Sequence, residues 1–455
     1  METEFFKLTK DNYKQYHLND VVAISIAQPG AMGDPGSIKI VSSKGEKYYA
    51  NPWHDNISVE SVYCVCPLLS HIRISVIGCI SKPIGWHEIY LGCGNHLFIN
   101  DTIYSQFQLG VKYLENKEPY DLYNEWMGIV QDIVVNRIFS KVIEDKVKGV
   151  IFGQAIGDAL GLSTEFMSDE EMAWKYPNGV KDYSDIFQDR HRKRWKIGDW
   201  TDDTDMMLCI ANAVIEDKGV NLTSIAKNFK KWAEDEPMGI GENTYKVLTI
   251  GDYVEKPLEV SKKVWEMSNR KSAANGGLMR TSIVGLFPKA VEQCAANICR
   301  LTHYDPRCVG SCVIVSLIIH SIVYQSTELT YHQIFDISKK YDERICEYVD
   351  LARNSDIRAL ELQNEHSMGY TLKTLAAALW AYWNAKSFEE GLLTVVNAGG
   401  DADTNAAVAC AILGAKYGYS SIPKEYIEGL IHREQLDELT IGFLELYNEN
   451  SNYNK

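Results

Sequence analysis

Short β-rich runs open the chain. Residues 21–26 and 38–41 are dense in Val and Ile, and residues 71–77 alternate polar and apolar positions as a half-buried strand does. Pro29-Gly30, Gly33-Asp34-Pro35-Gly36 and Pro83-Ile84-Gly85 punctuate them as turns. The period becomes helical near Asp121. Trp126, Ile129, Val130, Ile133, Val134 and Ile138 share one side, which predicts a linking helix over residues 121–146. From Gly149 onward helix follows helix, and the stretches 376–381 and 406–411 are dense and apolar. The expected fold is mainly α: an all-α domain over residues 147–445, preceded by a smaller β-rich (α+β) domain over 1–145. Gly149, Gly153 and Gly157 recur at every fourth position, which predicts a buried helix lying close against a neighbour. The polar tail, residues 448–455, predicts a frayed end.

Composition narrows the function. The chain has 455 residues, 45% hydrophobic and 24% charged, so it is neither fibrous nor mainly disordered, and it has room for two or three domains. Its formal net charge is -15, which argues against general nucleic-acid binding, because phosphate neutralisation needs clustered Lys and Arg. One basic run, Arg190-His191-Arg192-Lys193-Arg194, is able to grip a single anion, but a solvated loop is the plainer reading. The 11 Cys are odd in number and scattered, and the opening Met1-Glu2-Thr3-Glu4 has no basic stretch before an apolar one. A reducing, cytoplasmic setting is expected. The most apolar run, residues 308–324, is broken by Ser311, Ser316, His320 and Ser321 and falls short of the ~20 residues of a membrane span. It is expected to be a buried helix, with no membrane partner.

Two segments carry the chemistry. Trp200-Thr201-Asp202-Asp203-Thr204-Asp205 runs into Met206-Met207-Leu208, and Gly399-Gly400-Asp401-Ala402-Asp403-Thr404-Asn405 runs into Ala406-Ala407-Val408. Laid over each other, Thr201 meets Asp401, Asp203 meets Asp403 and Thr204 meets Thr404, so the two read as matching half-sites. Helix capping is the plain explanation, since Asp and Thr suit a helix start. A cap needs only one such residue, however, and Asp202, Asp203 and Asp205 would repel one another without a counter-ion. Carboxylate and hydroxyl oxygens are hard ligands, so the ion reading favours Mg²⁺ or Mn²⁺ over Zn²⁺. Three more segments are weaker alone: Gly157-Asp158-Ala159-Leu160-Gly161 with Glu165 behind it, Asn275-Gly276-Gly277-Leu278-Met279-Arg280, and Thr302-His303. The consecutive glycines can offer backbone N–H groups to phosphate, or simply make a tight turn.

In this order the five segments resemble the ADP-ribosylglycohydrolase family, whose pattern they match from about residue 148 to about 425. The resemblance implies an all-α bundle with a two-Mg²⁺ centre, in which Thr201, Asp202, Asp203, Asp401, Asp403 and Thr404 are metal ligands. It places Glu165 beside the metals as ligand or gate. Glu165, Asp202 and Asp403 become the catalytic carboxylates, and Gly276, Gly277, His303 and Tyr370 line the ADP-ribose site. It implies hydrolysis of the C1″ glycosidic bond of an ADP-ribosylated protein, with ADP-ribosyl-arginine the first expectation. One departure bears on the acceptor. Where arginine-specific relatives carry an acid near an Ile-Gly pair, this chain has Gly239, with Glu236 and Glu242 nearby as substitutes.

Residues 1–145 lie outside the resemblance. Cys64-Val65-Cys66 is too closely spaced for a typical zinc pair and reads as buried Cys, and Gly92-Cys93-Gly94-Asn95-His96 reads as a turn. The alternative function is an immunity protein whose first domain binds and blocks an ADP-ribosyltransferase toxin, with or without hydrolysis.

Overall fold

The computed structural model describes six strand segments among the first 91 residues, and then residues 140–452. The chain divides into two compact units, residues 1–144 with 325–327 and residues 145–324 with 328–455. In the first unit β1 (Phe5–Lys7), β2 (Val21–Ala27), β3 (Ser37–Ser42), β4 (Lys47–Ala50), β5 (Ile72–Ile77) and β6 (His87–Leu91) pair into one sheet in the order β1-β4-β3-β2-β5-β6. The β1/β4 and β2/β5 pairs are parallel and the rest antiparallel. The helix expected over 121–146 lies outside the described residues except for its end. So do Cys64-Val65-Cys66 and the turn at residues 92–96.

Described by itself, the second unit is helical. Eight of its helices frame the acidic cavity and the core beneath it: α1 (Ser140–Gly161), α2 (Asp202–Glu216), α3 (Leu222–Glu234), α4 (Val291–Arg300), α5 (Pro306–His320), α6 (Thr371–Asn384), α7 (Phe388–Val396) and α8 (Ala402–Tyr417). The helix α1 starts before residue 147 and the last helix, Arg433–Asn452, runs past residue 445, so both straddle the boundaries expected for the helical domain.

The middle of the core is α8, buried from Ala402 to Lys416. Its Ala-rich sequence has no polar stripe, as a helix surrounded by protein requires. The helix α1 lies antiparallel against it with almost no side chain between. A Cβ added at Gly149, Gly153, Gly157 or Gly161 would come 2.3, 2.3, 2.2 and 2.5 Å from the carbonyl oxygens of Gly414, Cys410, Ala406 and Ala402. The glycine spacing read from the sequence thus marks a backbone-to-backbone seam. The seam sets the C-terminal end of α1 beside the N-terminal end of α8, and brings Asp158 and Glu165 to Asp401 and Asp403.

The apolar run at 308–324 is a core helix. The stretch Pro306–Gln325 is long and apolar enough to cross a membrane, yet 78% of its most apolar window is buried inside the protein. Asp305 caps α5, accepting the Arg307 N–H at 3.0 Å, and Pro306 supplies the first helical residue.

Candidate active site

A cavity of about 1020 Å³ opens where the starts of α2 and α8 meet the end of α1. Its floor is acidic. Asp158 holds the start of α2 from outside that helix: Oδ1 accepts the Thr201 N–H at 3.0 Å, and Oδ2 accepts the Thr204 N–H at 3.0 Å and its hydroxyl at 2.6 Å. Neither Thr201 nor Asp401, the N-cap residues of α2 and α8, makes a side-chain cap bond. The Thr201 hydroxyl donates instead to Asp203 Oδ2 at 3.2 Å. Capping therefore accounts for Asp158, not for the Asp and Thr of the two half-sites.

Asp158, Asp203, Asp401 and Asp403 are all buried, and their partners are Thr, Asn and backbone groups; no Lys or Arg salt bridge reaches them among the described residues. Burial pushes Asp158 up to about 7 and Asp401, with help from the charge of Glu165, to about 6. Burial and then the neighbouring carboxylates hold Asp203 and Asp403 well above the usual range. One carboxylate oxygen from each of Asp158, Asp203 and Asp403 lies within 4.8 Å of the others, and Glu165, Asp401 and Asp403 form a second such set. Asp403 belongs to both. Asp203 Oδ1 is buried with no hydrogen-bond partner. Asp202 lines the cavity partly exposed, and its carboxyl is raised by burial first and by Glu165 and Asp401 after it.

The sequence groups Asp205 with this cluster, and the structure turns it away. Its two oxygens take the indole N–H groups of Trp200 at 2.9 Å and Trp232 at 3.1 Å. Asp158, from a segment that is weak alone, stands in the cluster. The basic run also differs from a solvated loop. Arg192 is buried and donates to Leu162 O at 2.7 Å and Glu165 O at 2.5 Å, while His191 Nε2 meets Glu165 Oε2 at 2.7 Å. Glu165 is thus held at backbone and side chain. No signal local to the sequence at 190–194 announces this, because Glu165 lies on a separate segment.

Of the residues expected at the substrate, Gly276 and His303 line the cavity with Thr244 and Asn275. Gly277 and Tyr370 are not among the lining residues. Gly277 backs onto Cys299 and the His303 Cβ, and the Tyr370 hydroxyl accepts from Arg307 Nη1 at 3.2 Å. Both support the wall: Ala274 bridges Tyr370, and Asn275 N–H donates to Gly369 O at 2.9 Å. Asn275, to which the sequence assigns no role of its own, donates to Asp401 Oδ2 at 2.7 Å and so orients a floor carboxylate. His303 is buried, and burial followed by the nearby Arg280 charge lowers it to about 3, so it stands as a neutral imidazole. Gly239 borders Asp202; a Cβ there would lie 3.2 Å from Asp202 Oδ1. Glu242 pairs with Lys246 at 2.5 Å, and Glu236 is exposed.

The helical unit thus carries, beneath a large cavity, two overlapping sets of buried carboxylate oxygens close enough together to hold a metal ion. Residues 140–453 match the family model described as ADP-ribosylglycohydrolase, and the chain belongs to that family. It is a glycohydrolase enzyme acting on ADP-ribosyl groups. The chain is 28% identical to the ADP-ribosylarginine hydrolase Tri1 of Serratia proteamaculans, over 65% of this chain and 78% of that one. It is 31% identical to a protein of Archaeoglobus fulgidus, over 67% of this chain and 98% of that one. It is 26% identical to the ADP-ribosyl-[dinitrogen reductase] glycohydrolase of Rhodospirillum rubrum, over 63% and 91%. A solved structure described as an ADP-ribosylglycohydrolase-related protein complex shares the fold, with TM-score 0.53 and 24% identity over 68% of this chain and 99% of that one.

Proposed function

We propose that this enzyme releases ADP-ribose from modified protein, with ADP-ribosyl-arginine as the substrate, using two Mg²⁺ ions, or Mn²⁺, on the cavity floor. The observation that carries this reading is the pair of overlapping carboxylate sets that share Asp403, with Asp203 Oδ1 buried and unpartnered. Buried acids without counter-ions are costly, and hard divalent cations suit an all-oxygen donor set. Asp158, Asp203 and Asp403 fit one ion and Glu165, Asp401 and Asp403 the other, with Thr201, Asp202 and Thr404 lining the same floor. Bound there, such ions supply Lewis-acid polarisation of the ribose hydroxyls and of water.

The remaining work falls to the chain. Asp202 is the floor carboxylate partly open to the cavity, and its raised basicity suits it to take the proton of the attacking water. The C1″–N bond to the arginine guanidinium breaks, a C1″–O bond to the water oxygen forms, and the departing nitrogen gains a proton. Carboxylates on the floor stabilise positive charge at C1″ as that bond opens. The cavity holds the pyrophosphate end along Gly276 and His303. The two indole partners of Asp205 keep that carboxylate out of the reaction.

The test is release of ADP-ribose from an ADP-ribosyl-arginine protein with Mg²⁺ and with EDTA, for the natural chain and for Asp403→Ala. Release that needs Mg²⁺ and disappears in Asp403→Ala is expected. Full turnover of the variant in EDTA sinks the metal reading, and cleavage of serine-linked but not arginine-linked substrate sinks the choice of acceptor.

A further inference from the structure

Arg280 is fully buried and has no carboxylate partner among the described residues. Its guanidinium sits 4.3 Å from the centroid of the Phe229 ring of α3, Nη1 points at Met206 Sδ at 3.4 Å, and Nε has no partner. A cation buried without a counter-ion is expensive. Its one strong hydrogen bond leads toward the cavity: Nη2 donates to Thr302 Oγ1 at 2.6 Å, and that oxygen lies 2.7 Å from His303 Nδ1.

The order of protons along this chain is fixed by valence. Arginine only donates, so the Thr302 oxygen accepts from Arg280. Thr302 is buried, and its hydroxyl proton has no other acceptor among the described residues. The proton therefore goes to His303 Nδ1, which must be bare, and the ring proton sits on Nε2. Nε2 has no protein partner among the described residues. Its edge of the ring lies against Gly276, where an added Cβ would come 3.0 Å from Cε1 and 3.2 Å from Nε2. Both residues line the cavity.

We infer that Arg280 and Thr302 are positioning residues that lock His303 into its neutral Nε2–H tautomer, making it a fixed donor to an acceptor oxygen of the bound ADP-ribosyl group. Each donor polarises the next, so the buried charge of Arg280 strengthens the Nε2–H donor without entering the cavity. The negative charge of a bound pyrophosphate then supplies the partner that Arg280 lacks. The inference rests on the reading that the cavity takes an ADP-ribosyl group, but the tautomer itself is independent of substrate.

Nitrogen NMR of the full-length protein labelled at histidine, at pH 7.5 without substrate, reads the tautomer directly. His303, assigned by its loss in His303→Gln, is expected to carry a proton on Nε2 alone. A proton on Nδ1, or on both nitrogens, overturns the proposal. Thr302→Val removes the hydroxyl with little change of shape. It is expected to give a mixed tautomer, to weaken ADP-ribose binding about tenfold, and to raise KM more than it lowers kcat, with Thr302→Ser restoring both tautomer and affinity. A tenfold change corresponds to about 1.4 kcal/mol. Unchanged tautomer and affinity in Thr302→Val, or a loss confined to kcat, overturns it as well. If the tautomer is as expected but no ADP-ribosyl substrate is bound or cleaved, the functional reading fails and the lock stands.

Discussion

Asp158 Oδ2 takes both the backbone N–H of Thr204, at 3.0 Å, and its hydroxyl, at 2.6 Å. One carboxylate on α1 thereby caps α2 and, fully buried behind the cavity lining, joins Asp203 and Asp403 in the acidic cluster. Asp158→Asn tests the metal role. The amide oxygen still accepts from Thr204 and a buried negative charge is removed, but the amide NH2 then faces the Thr201 N–H and that hydrogen bond is lost. In EDTA these two changes oppose each other, so the variant is expected to melt near the natural protein. With saturating Mg²⁺ its melting temperature should rise by less than that of the natural protein, because one ligand is lost. Thermal melts with and without Mg²⁺ check this, and an equal Mg²⁺-induced rise in both proteins removes Asp158 from the metal site.

The seam between α1 and α8 is the second lever. In Gly157→Ala the new methyl would lie 2.2 Å from Ala406 O, with backbone behind it and no flexible side chain to move. Overpacking of this kind costs about 1–3 kcal/mol. The larger effect falls on activity, since parting the helices parts Asp158 from Asp403. Gly219→Ala and Gly251→Ala meet nothing within 4 Å and serve as controls near natural stability. A Gly157→Ala protein with unchanged melting temperature and full activity would falsify the seam as the device that sets the floor.

The helical half was legible because its helices are long, periodic and buried, and because glycine at every fourth position of an apolar helix suits a close backbone contact and little else. The floor was legible in part. Asp203 and Asp403 sit in matching local contexts, which comparison of the two segments reveals. Asp205 sits in the same context and yet turns away, since Trp200 and Trp232 claim its oxygens, and Trp232 belongs to α3. Asp158 and His191 entered the site only through tertiary contacts with Thr204 and Glu165. Tyr370 stood in the expected pattern but faces Arg307, because the strand-like bridge to Ala274 fixes its backbone.

The acidic floor also dictates how stability varies with pH. An Asp in the unfolded chain titrates near 3.9, whereas burial holds Asp158 at about 7 and Asp401 at about 6, and keeps Asp203 and Asp403 raised. Between these limits the folded protein binds more protons than the unfolded one, so stability rises as pH falls through the folded values. His303 opposes this below 6.5, because it is lowered to about 3 and the unfolded chain takes up its proton first. One His is outweighed by several Asp. In EDTA the melting temperature is therefore expected to rise from pH 7.5 to pH 6. Saturating Mg²⁺, which competes with protons for the same oxygens, should flatten or reverse the slope. A melting temperature in EDTA that falls over this interval contradicts the burial of unpaired carboxylates.

Two of the residues expected to line the ADP-ribose site, His303 and Tyr370, separate cleanly in binding. His303 lines the cavity, and His303→Ala removes a donor; a lost polar contact of about 1.4 kcal/mol raises the dissociation constant for ADP-ribose about tenfold. Tyr370 is not among the lining residues, and its hydroxyl serves Arg307, which Asp305 already holds through Nε at 2.7 Å. Tyr370→Phe keeps the ring against Tyr348 and the backbone bridge to Ala274, so the Asn275–Gly277 turn stays in place. Calorimetry with ADP-ribose is expected to show the Phe variant within about twofold of the natural protein, a difference of ~0.4 kcal/mol at most. A tenfold loss in Tyr370→Phe with no loss in His303→Ala would reverse the assignment and put the hydroxyl of Tyr370, rather than the imidazole, on the ligand.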